Sequence, residues 1–300
     1  MLKGRLGLET ARIPHADRHG LLWLEYGRLT ASDGSLVFQA APSRCYAPGH
    51  YSIPFQTISI ILLGPGTSLT HDVLRLMARH GCGLAAIGEE GVRFYTAMPL
   101  GPNESMLARL QTMCWSDCLN KRQEIIRKMY AVRLDEIFPD ENINVLRGIE
   151  GARMKVIYQQ LASRYKIQWK GRRYDRTNPN AADIPNQTIN HAATAVESAA
   201  LIAIAATGTI PQLGFIHEDS TNAFALDIAD LFRHSFTIPI AFQAVHLLER
   251  KPEFTPDKAV RTIASNEFRN QKLISQMIDV IKQLFADYSI VPESIEAQKK

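Results

Sequence analysis

The sequence predicts an α+β protein, with a small β-rich N-terminal domain followed by a larger all-α C-terminal domain. Short β-branched and aromatic runs, punctuated by Gly, Pro and Asp, fill the first hundred residues. Beyond them the apolar residues recur with a helical period almost to the end. A breaker-rich stretch, Ala97-Met-Pro-Leu-Gly-Pro-Asn103, lies at the change. The expected division is 1–97 for the β-rich domain, 98–106 for a linker, 107–290 for the helical domain and 291–300 for a flexible tail.

Leu21-Leu-Trp-Leu-Glu-Tyr26 and Ser35-Leu-Val-Phe-Gln39 read as strands flanking Asp33-Gly34, a tight-turn dipeptide. Ile53 to Leu63 is a longer β-branched run, closed by Gly64-Pro-Gly66. Thr70 is placed to cap a helix with the apolar stripe Val73, Leu74, Leu76 and Met77, which Gly81 ends. Leu84–Ile87 and Val92–Tyr95 read as two further strands around Gly88-Glu-Glu-Gly91. Helices are expected near 104–134, 142–165, 187–207, 221–234, 238–250, 256–268 and 270–286. The polar stretch from Gly171 to Gln187, with Pro179 and Pro185, reads as a long loop.

With 46% hydrophobic and 21% charged residues, the 300-residue chain can bury a sizeable core, which excludes a disordered protein. A net charge of +4 is only mildly basic, so any nucleic-acid site must come from local clustering. Cys45, Cys82, Cys114 and Cys118 form no Cys-x-x-Cys pair, which argues against a zinc ribbon. Cys114 and Cys118, four apart on one expected helix, read as small core residues. The cysteine usage fits a reducing cytoplasm. The N-terminal residues carry no signal-peptide pattern. The apolar run Ala192–Ala206 contains Glu197 and is too short to span a bilayer, so it reads as a buried alanine-rich helix and no membrane partner is expected.

Three separated segments place acids or an imidazole where a core would want apolar residues: Arg147-Gly-Ile-Glu150-Gly, Gly214-Phe-Ile-His217-Glu-Asp and Asp227-Ile-Ala-Asp230. Glu150 shares a helical stripe with Met154, Ile157 and Leu161, and Gly148 and Gly151 beside it would let a backbone or a phosphate come close. Asp227 and Asp230, three apart, are helix neighbours whose mutual repulsion a cation would offset, and Arg233 continues their row. Taken singly, Glu150 is equally a salt-bridged or capping glutamate, Asp230 an ion-pair partner of Arg233, and His217 a satisfied core histidine. Together they make a carboxylate–imidazole set suited to Mg²⁺ or Mn²⁺. A basic run follows: Arg164, Lys166, Lys170, Arg172, Arg173 and Arg176, interleaved with Tyr165, Trp169 and Tyr174. It reads either as a solvated face or as a strip where cations meet phosphates and aromatics stack on bases. Lys258, Arg261 and Arg269 would extend such a groove, and Arg75 and Arg93 are further phosphate candidates.

Leu146-Arg-Gly-Ile-Glu-Gly151, Gly171-Arg-Arg-Tyr-Asp175, Gly214-Phe-Ile-His217 and Asp227-Ile-Ala-Asp-Leu231 resemble the motifs of the CRISPR-associated adaptation integrases, the "Cas one" family. Leu24-Glu-Tyr26-Gly and Gly64-Pro-Gly-Thr67, followed by His71, resemble its type I-E branch. The resemblance covers about residues 12–270. It implies Glu150, His217 and Asp230 as metal ligands, Asp227 as an assisting acid, Tyr174 as a reader of the protospacer-adjacent motif, and Tyr26 as an aromatic stacked on a duplex end. Arg75, Arg93 and Arg233 would be DNA contacts. It further implies a homodimer that joins a central dimer of the small "Cas two" protein in a heterohexamer. The substrates would be double-stranded DNA with 3′ overhangs and CRISPR repeat DNA, with integration by transesterification and endonuclease action on branched DNA. Glu197 stands where relatives often carry a tyrosine, and Ser68 and Ser220 where some carry a basic residue. Two alternatives stay open: a metal-dependent structure-specific nuclease that joins nothing, and a non-catalytic DNA-binding clamp.

Overall fold

The computed structural model describes residues 20–32, 34–43, 46–97, 106–137, 142–173, 182–218 and 220–289, in which strands come first and helices follow, the α+β order expected. The strands are β1 (Gly20–Leu24), β2 (Gly27–Ser32), β3 (Ser35–Ala40), β4 (Gly49–Ile53), β5 (Ile58–Leu63), β6 (Thr67–Leu69), β7 (Gly83–Ile87) and β8 (Phe94–Ala97), with helix α1 (His71–His80) between β6 and β7. The remaining helices are α2 (Met106–Ser116), α3 (Lys121–Leu134), α4 (Ile143–Arg164), α5 (Ile184–Thr207), α6 (Ala223–Leu231), α7 (Ile238–Arg250), α8 (Pro256–Gln271) and α9 (Leu273–Phe285). Of the sequence expectations, Tyr174, Arg176, Asp219, Cys45, Asp33, most of the 98–106 linker and the 291–300 tail lie outside the described residues.

The strands form two sheets, ordered β1-β5-β7-β8 and β4-β3-β2-β6. A hairpin does lead into β3, but its first arm is β2, with Ser32 opposite Ser35; Leu21–Leu24 belongs to β1 in the other sheet, parallel to β5. The switch of sheets happens at Tyr26, whose φ of 52° is left-handed and turns the chain sharply. The long 53–63 run is likewise split by a helical turn at Phe55–Thr57, so that Ile53 and Ile58 serve different sheets.

β5 explains why its sequence is continuously apolar. Ile58 and Ile61 pack between the sheets with Leu29, Leu36, Phe38, Val73 and Met77, while Ile60 and Leu62 join the helical core with Ala85, Ile87 and Val92. A strand buried on both faces has no solvent side to mark with polar residues. Helix α1 ends at Gly81, left-handed at φ 64°, as expected, whereas Thr70 occupies its N-cap without a side-chain capping bond.

The expected 104–134 helix is two helices. Asp117 Oδ1 accepts the Asn120 N–H at 3.2 Å, and this local bond competes with the helical ladder and turns the chain. Cys114 is therefore buried in α2 while Cys118 is exposed in the turn, and the two share no face. Helix α5 begins earlier than expected, because Asp183 Oδ1 accepts the Asn186 N–H at 3.1 Å and Pro185 sits in the first turn, where its missing N–H costs nothing. At 24 residues it is long and apolar enough to cross a membrane, longer than the run first read, yet it is packed on α6, α7, α8, α9 and the β5–β7–β8 face. Its alanines (Ala192, Ala195, Ala199, Ala203 and Ala206 among them) let those neighbours approach closely.

Gly91 lies on the seam between the first sheet and α5. Its φ is +72°, and an added Cβ would lie 2.7 Å from the Trp23 ring and 3.1 Å from Ile202. Gly91→Ala is expected to destabilise the protein by about 1–3 kcal/mol through left-handed strain and overpacking, measured as a lower urea midpoint at unchanged slope.

Candidate active site

Glu150 comes from α4, Asp227 and Asp230 from α6, and His217 from the loop before α6. On α4 the buried residues Leu146, Met154, Tyr158 and Ala162 fall every fourth position, and Glu150 is the one member of that row that is acidic. Met154 shares its stripe as expected, with Ile157 and Leu161 packed partly buried alongside. Gly148 and Gly151 meet nothing within 4 Å, so the helix surface beside Glu150 is open rather than approached by another backbone. On α6, Phe224, Ile228 and Leu231 are buried as expected, and so is Asp227, whose side chain is fully enclosed.

Asp227 accepts the backbone N–H groups of Phe215 (2.5 Å), Ile216 (3.1 Å) and His217 (2.9 Å), and its Oδ1 lies 2.7 Å from His217 Nδ1. A carboxylate only accepts, so Nδ1 carries the proton and the neutral ring keeps its lone pair on Nε2. The loop is clamped from other sides as well. Gln111 Nε2 donates to the carbonyls of Ile210 (2.9 Å) and Leu213 (3.0 Å), its Oε1 accepts the Ile210 N–H (2.7 Å), and Trp115 Nε1 donates to the Gly214 carbonyl (3.0 Å). Arg122 donates to Glu218 at 2.6 Å. Gly214 has no room for a side chain, since a Cβ there would lie 2.4 Å from the His217 carbonyl oxygen and 2.6 Å from Ala223 Cβ.

The hydrogen bond from Asp227, helped by its charge and that of Asp230, raises the His217 pKa above the ordinary value against burial and Arg133. Nε2 faces Asp230 Oδ2 at 3.9 Å. Glu150 and Asp230 are joined by Arg133, in the last turn of α3: its Nη2 lies 2.9 Å from Glu150 Oε1 and 3.4 Å from Asp230 Oδ2. Arg233 reaches Asp230 Oδ1 at 3.4 Å from the more exposed side. It opens a single wide helical turn, Arg233–Thr237, that joins α6 to α7, the kind of irregularity found frequently at functional sites. Oxygen donors with one presented imidazole nitrogen suit a hard divalent cation by type. As placed, no three such groups among the described residues are gathered closely enough to hold one, and the charge between the two carboxylates is supplied by Arg133.

A family model described as "CRISPR associated protein Cas1" matches residues 119–277, the stretch that carries all four of these residues. Curated proteins named CRISPR-associated endonuclease Cas1 are similar along almost the whole chain: that of Geobacter sulfurreducens is 34% identical over 95% of this chain and 92% of its own, and that of Escherichia coli K12 is 32% identical over 93% and 89%. This chain belongs to the Cas1 family. Among solved structures, a TtCas1–DNA complex superposes with a TM-score of 0.80 at 29% identity, over 91% of this chain and 98% of that one. A casposase bound to integration product shares the fold at TM-score 0.56 and 17% identity, over 90% and 97%.

The other expected Cas1 contacts are distributed unevenly. Tyr26 is exposed, its ring lying over Gly66 at the strained switch between sheets. Arg75 is exposed on α1 and paired with Asp72 at 2.8 Å. Arg93 pairs with Asp257 of α8, which also holds Arg261 at 3.0 Å and faces His191 of α5 at 3.7 Å; Lys258 is the next residue, over the Phe254 ring. Arg93 of the strand region and Arg261 of α8, distant in sequence, thus share one acid, with Lys258 next to it along the helix. Arg172 is held against α5, donating to Asn186 (3.0 Å) and Asn190 (2.6 Å), and it and Arg233 both act on the buried Tyr158 hydroxyl, which places them near the acids. Arg173 is exposed. The interleaved aromatics do not form a free stacking strip: Trp169 is stacked on Tyr158 at 5.0 Å and meets Phe242, and Tyr165 also packs on Phe242. Apolar burial claims those rings. Glu197 is half-buried, its pKa raised by desolvation, and accepts from Asn222 at 3.4 Å.

Gln111, Trp115, Arg122 and Arg133 escaped the sequence reading. Each lies on α2 or α3, far in sequence from the motifs, and only its helical spacing was visible. Asp227→Asn is expected to lower the His217 pKa, because it removes the charge that holds the ring protonated while burial and Arg133 still oppose it; a histidine-selective NMR titration reads this directly. Asp227→Ala, which orphans buried N–H groups, is expected to cost about 3–5 kcal/mol in denaturant unfolding.

Proposed function

We propose that this chain is a metal-dependent DNA integrase of CRISPR adaptation, of type I-E. It inserts captured DNA fragments as new spacers by 3′-hydroxyl transesterification and acts as an endonuclease on branched DNA. One observation carries the reading: Glu150, His217 and Asp230 come together from three separate segments, Arg133 joining the two carboxylates and His217 Nε2 facing Asp230, in a chain of the Cas1 family. The DNA complex solved for TtCas1 supports DNA as the substrate class; within it, the substrates of this reading are double-stranded DNA with 3′ overhangs and CRISPR repeat DNA. The type I-E placement rests on the Leu24–Gly27 and Gly64–Thr67 motifs, and the exposed Tyr26 between them suits stacking on a duplex end. The working assembly is a homodimer joined to a small "Cas two" dimer in a heterohexamer. Cys82, Cys114 and Cys118, the cysteines among the described residues, are in no disulfide, which goes with a cytoplasmic location.

Glu150, His217 and Asp230 would hold Mg²⁺ or Mn²⁺, which when bound supplies Lewis-acid stabilisation of the attacking oxygen and of charge on phosphorus. The chain's own part is positional. Asp227 fixes the imidazole tautomer, Arg133 keeps the two carboxylates together while no metal is bound, and Arg233, with Arg172 near by, offers guanidinium donors to the target phosphate. The 3′-hydroxyl oxygen bonds to phosphorus, the bond to the departing 3′-oxygen breaks, and that oxygen takes up the proton released by the attacking hydroxyl. One phosphodiester replaces another, so no nucleotide hydrolysis is needed. The endonuclease names of the relatives favour one alternative, a nuclease that cuts branched DNA without joining.

A labelled duplex with 3′ overhangs, a supercoiled plasmid bearing the repeat array, the protein and its small partner test the reading. Label is expected to enter the plasmid with Mg²⁺ or Mn²⁺ and to fall to background with EDTA or His217→Ala. Metal-dependent cleavage without transfer would establish the nuclease instead, and DNA binding with neither reaction would leave a clamp.

A further inference from the structure

Among the described residues Arg133 is the one cation placed between two of the proposed ligands, and its bonding is unlike that of a settled structural arginine. A guanidinium in a permanent ion pair tends to present two parallel N–H groups to one carboxylate. Here a single nitrogen, Nη2, is shared between Glu150 of α4 at 2.9 Å and Asp230 of α6 at 3.4 Å. The side chain is only 7% exposed, and its Nε is buried with no hydrogen-bond partner. A buried cation with an orphaned donor is costly. The position is therefore dictated by the two carboxylates, which would otherwise repel each other in a poorly hydrated site, and not by the bonding needs of the guanidinium.

We propose that Arg133 is a built-in counter-cation: it holds Glu150 and Asp230 together when no divalent cation is present and must give way when one binds, so that it sets the metal affinity of the site. The inference rests on the metal-ligand reading above. Two effects act in the same direction. The Nη2 group fills the space between the oxygens that a divalent cation would bridge, and its charge repels any second cation there, strongly in a partly buried environment. The orphaned Nε lowers the cost of displacement, since leaving the pocket lets that donor find a partner. Arg233 differs: it touches Asp230 alone, from the more exposed side, and can stay in place.

Mn²⁺ alone is the probe, with affinity read by calorimetry and stability by thermal melting in EDTA and in Mn²⁺. Arg133→Met is expected to melt lower than wild type in EDTA, to bind Mn²⁺ at least about tenfold more tightly, and to gain more in melting temperature from Mn²⁺. Arg133→Lys, which keeps the charge, is expected to stay near wild type in affinity. A purely structural arginine would lower stability in both media and leave affinity unchanged or weaker, and that result overturns the proposal. Equal Mn²⁺ binding by wild type and Arg133→Met, lost in both backgrounds with Glu150→Gln, overturns the counter-cation and leaves the ligand set standing. No Mn²⁺ binding by either protein, or binding indifferent to Glu150→Gln, overturns both. Should Arg133→Met not fold, a crystal structure of the wild-type protein with Mn²⁺ decides: Arg133 is expected to have left Glu150, and retention of both contacts beside a bound ion overturns the proposal.

Discussion

The buried carboxylate of Asp227 is the point on which the site's geometry turns. It takes three consecutive backbone N–H groups and one imidazole nitrogen, and so ties the 215–217 loop to α6 in a single orientation. Hydrogen bonds to a charged group contribute about 1.5–3 kcal/mol each, which offsets a burial cost of several kcal/mol for an ion. The net gain is modest, while the geometric gain is large: a loop with no secondary structure of its own is anchored at four points to one side chain of a helix. Asp227 has no capacity left over for a substrate or a metal. Its bonds to the His217 N–H and Nδ1 set the orientation of that ring.

That orientation is useful only because the helices carrying the other acids are held to the same place. Helix α5 does this from the centre. Its alanine faces let α6, α7, α8 and α9 pack closely, and its contact with β5, β7 and β8 joins the helical core to the first sheet. Around the loop, Gln111, Trp115 and Arg122 take up carbonyl or acid groups that α6 cannot reach. They transmit the position of α2 and α3 to the histidine, and α3 in turn delivers Arg133 between Glu150 and Asp230.

Charge is arranged in two tiers. Inside, the acids are balanced by a buried arginine, and Arg233 stands at the mouth. Farther out, Arg93 and Arg261 share Asp257, with Lys258 beside it on α8, and one acid shared between two cations fixes them without cancelling their excess. A mildly basic chain can in this way present a concentrated positive field to a polyanion, which its bulk charge of +4 would not suggest.

The order of strands and helices, the hairpin leading into β3, the helix ended by Gly81 and the acid–imidazole segments were all legible in the sequence, because each depends on neighbours within a few residues. Local chemistry misled where a competing contact decided the outcome: Asp117 split one helix, Asp183 lengthened another, and Tyr26 moved a strand into the second sheet. The sequence by itself determined which segments carry the carboxylates and the imidazole, and which helix faces Glu150, Asp227 and Asp230 occupy. Only the tertiary structure decided that Trp169 is consumed by Tyr158 instead of left for a base, that Asp227 orients while Asp230 presents, and that Arg133 stands between the acids. Those outcomes rest on contacts between helices distant in the chain, and no periodicity within a single segment encodes which side chain will fill the space where three segments meet.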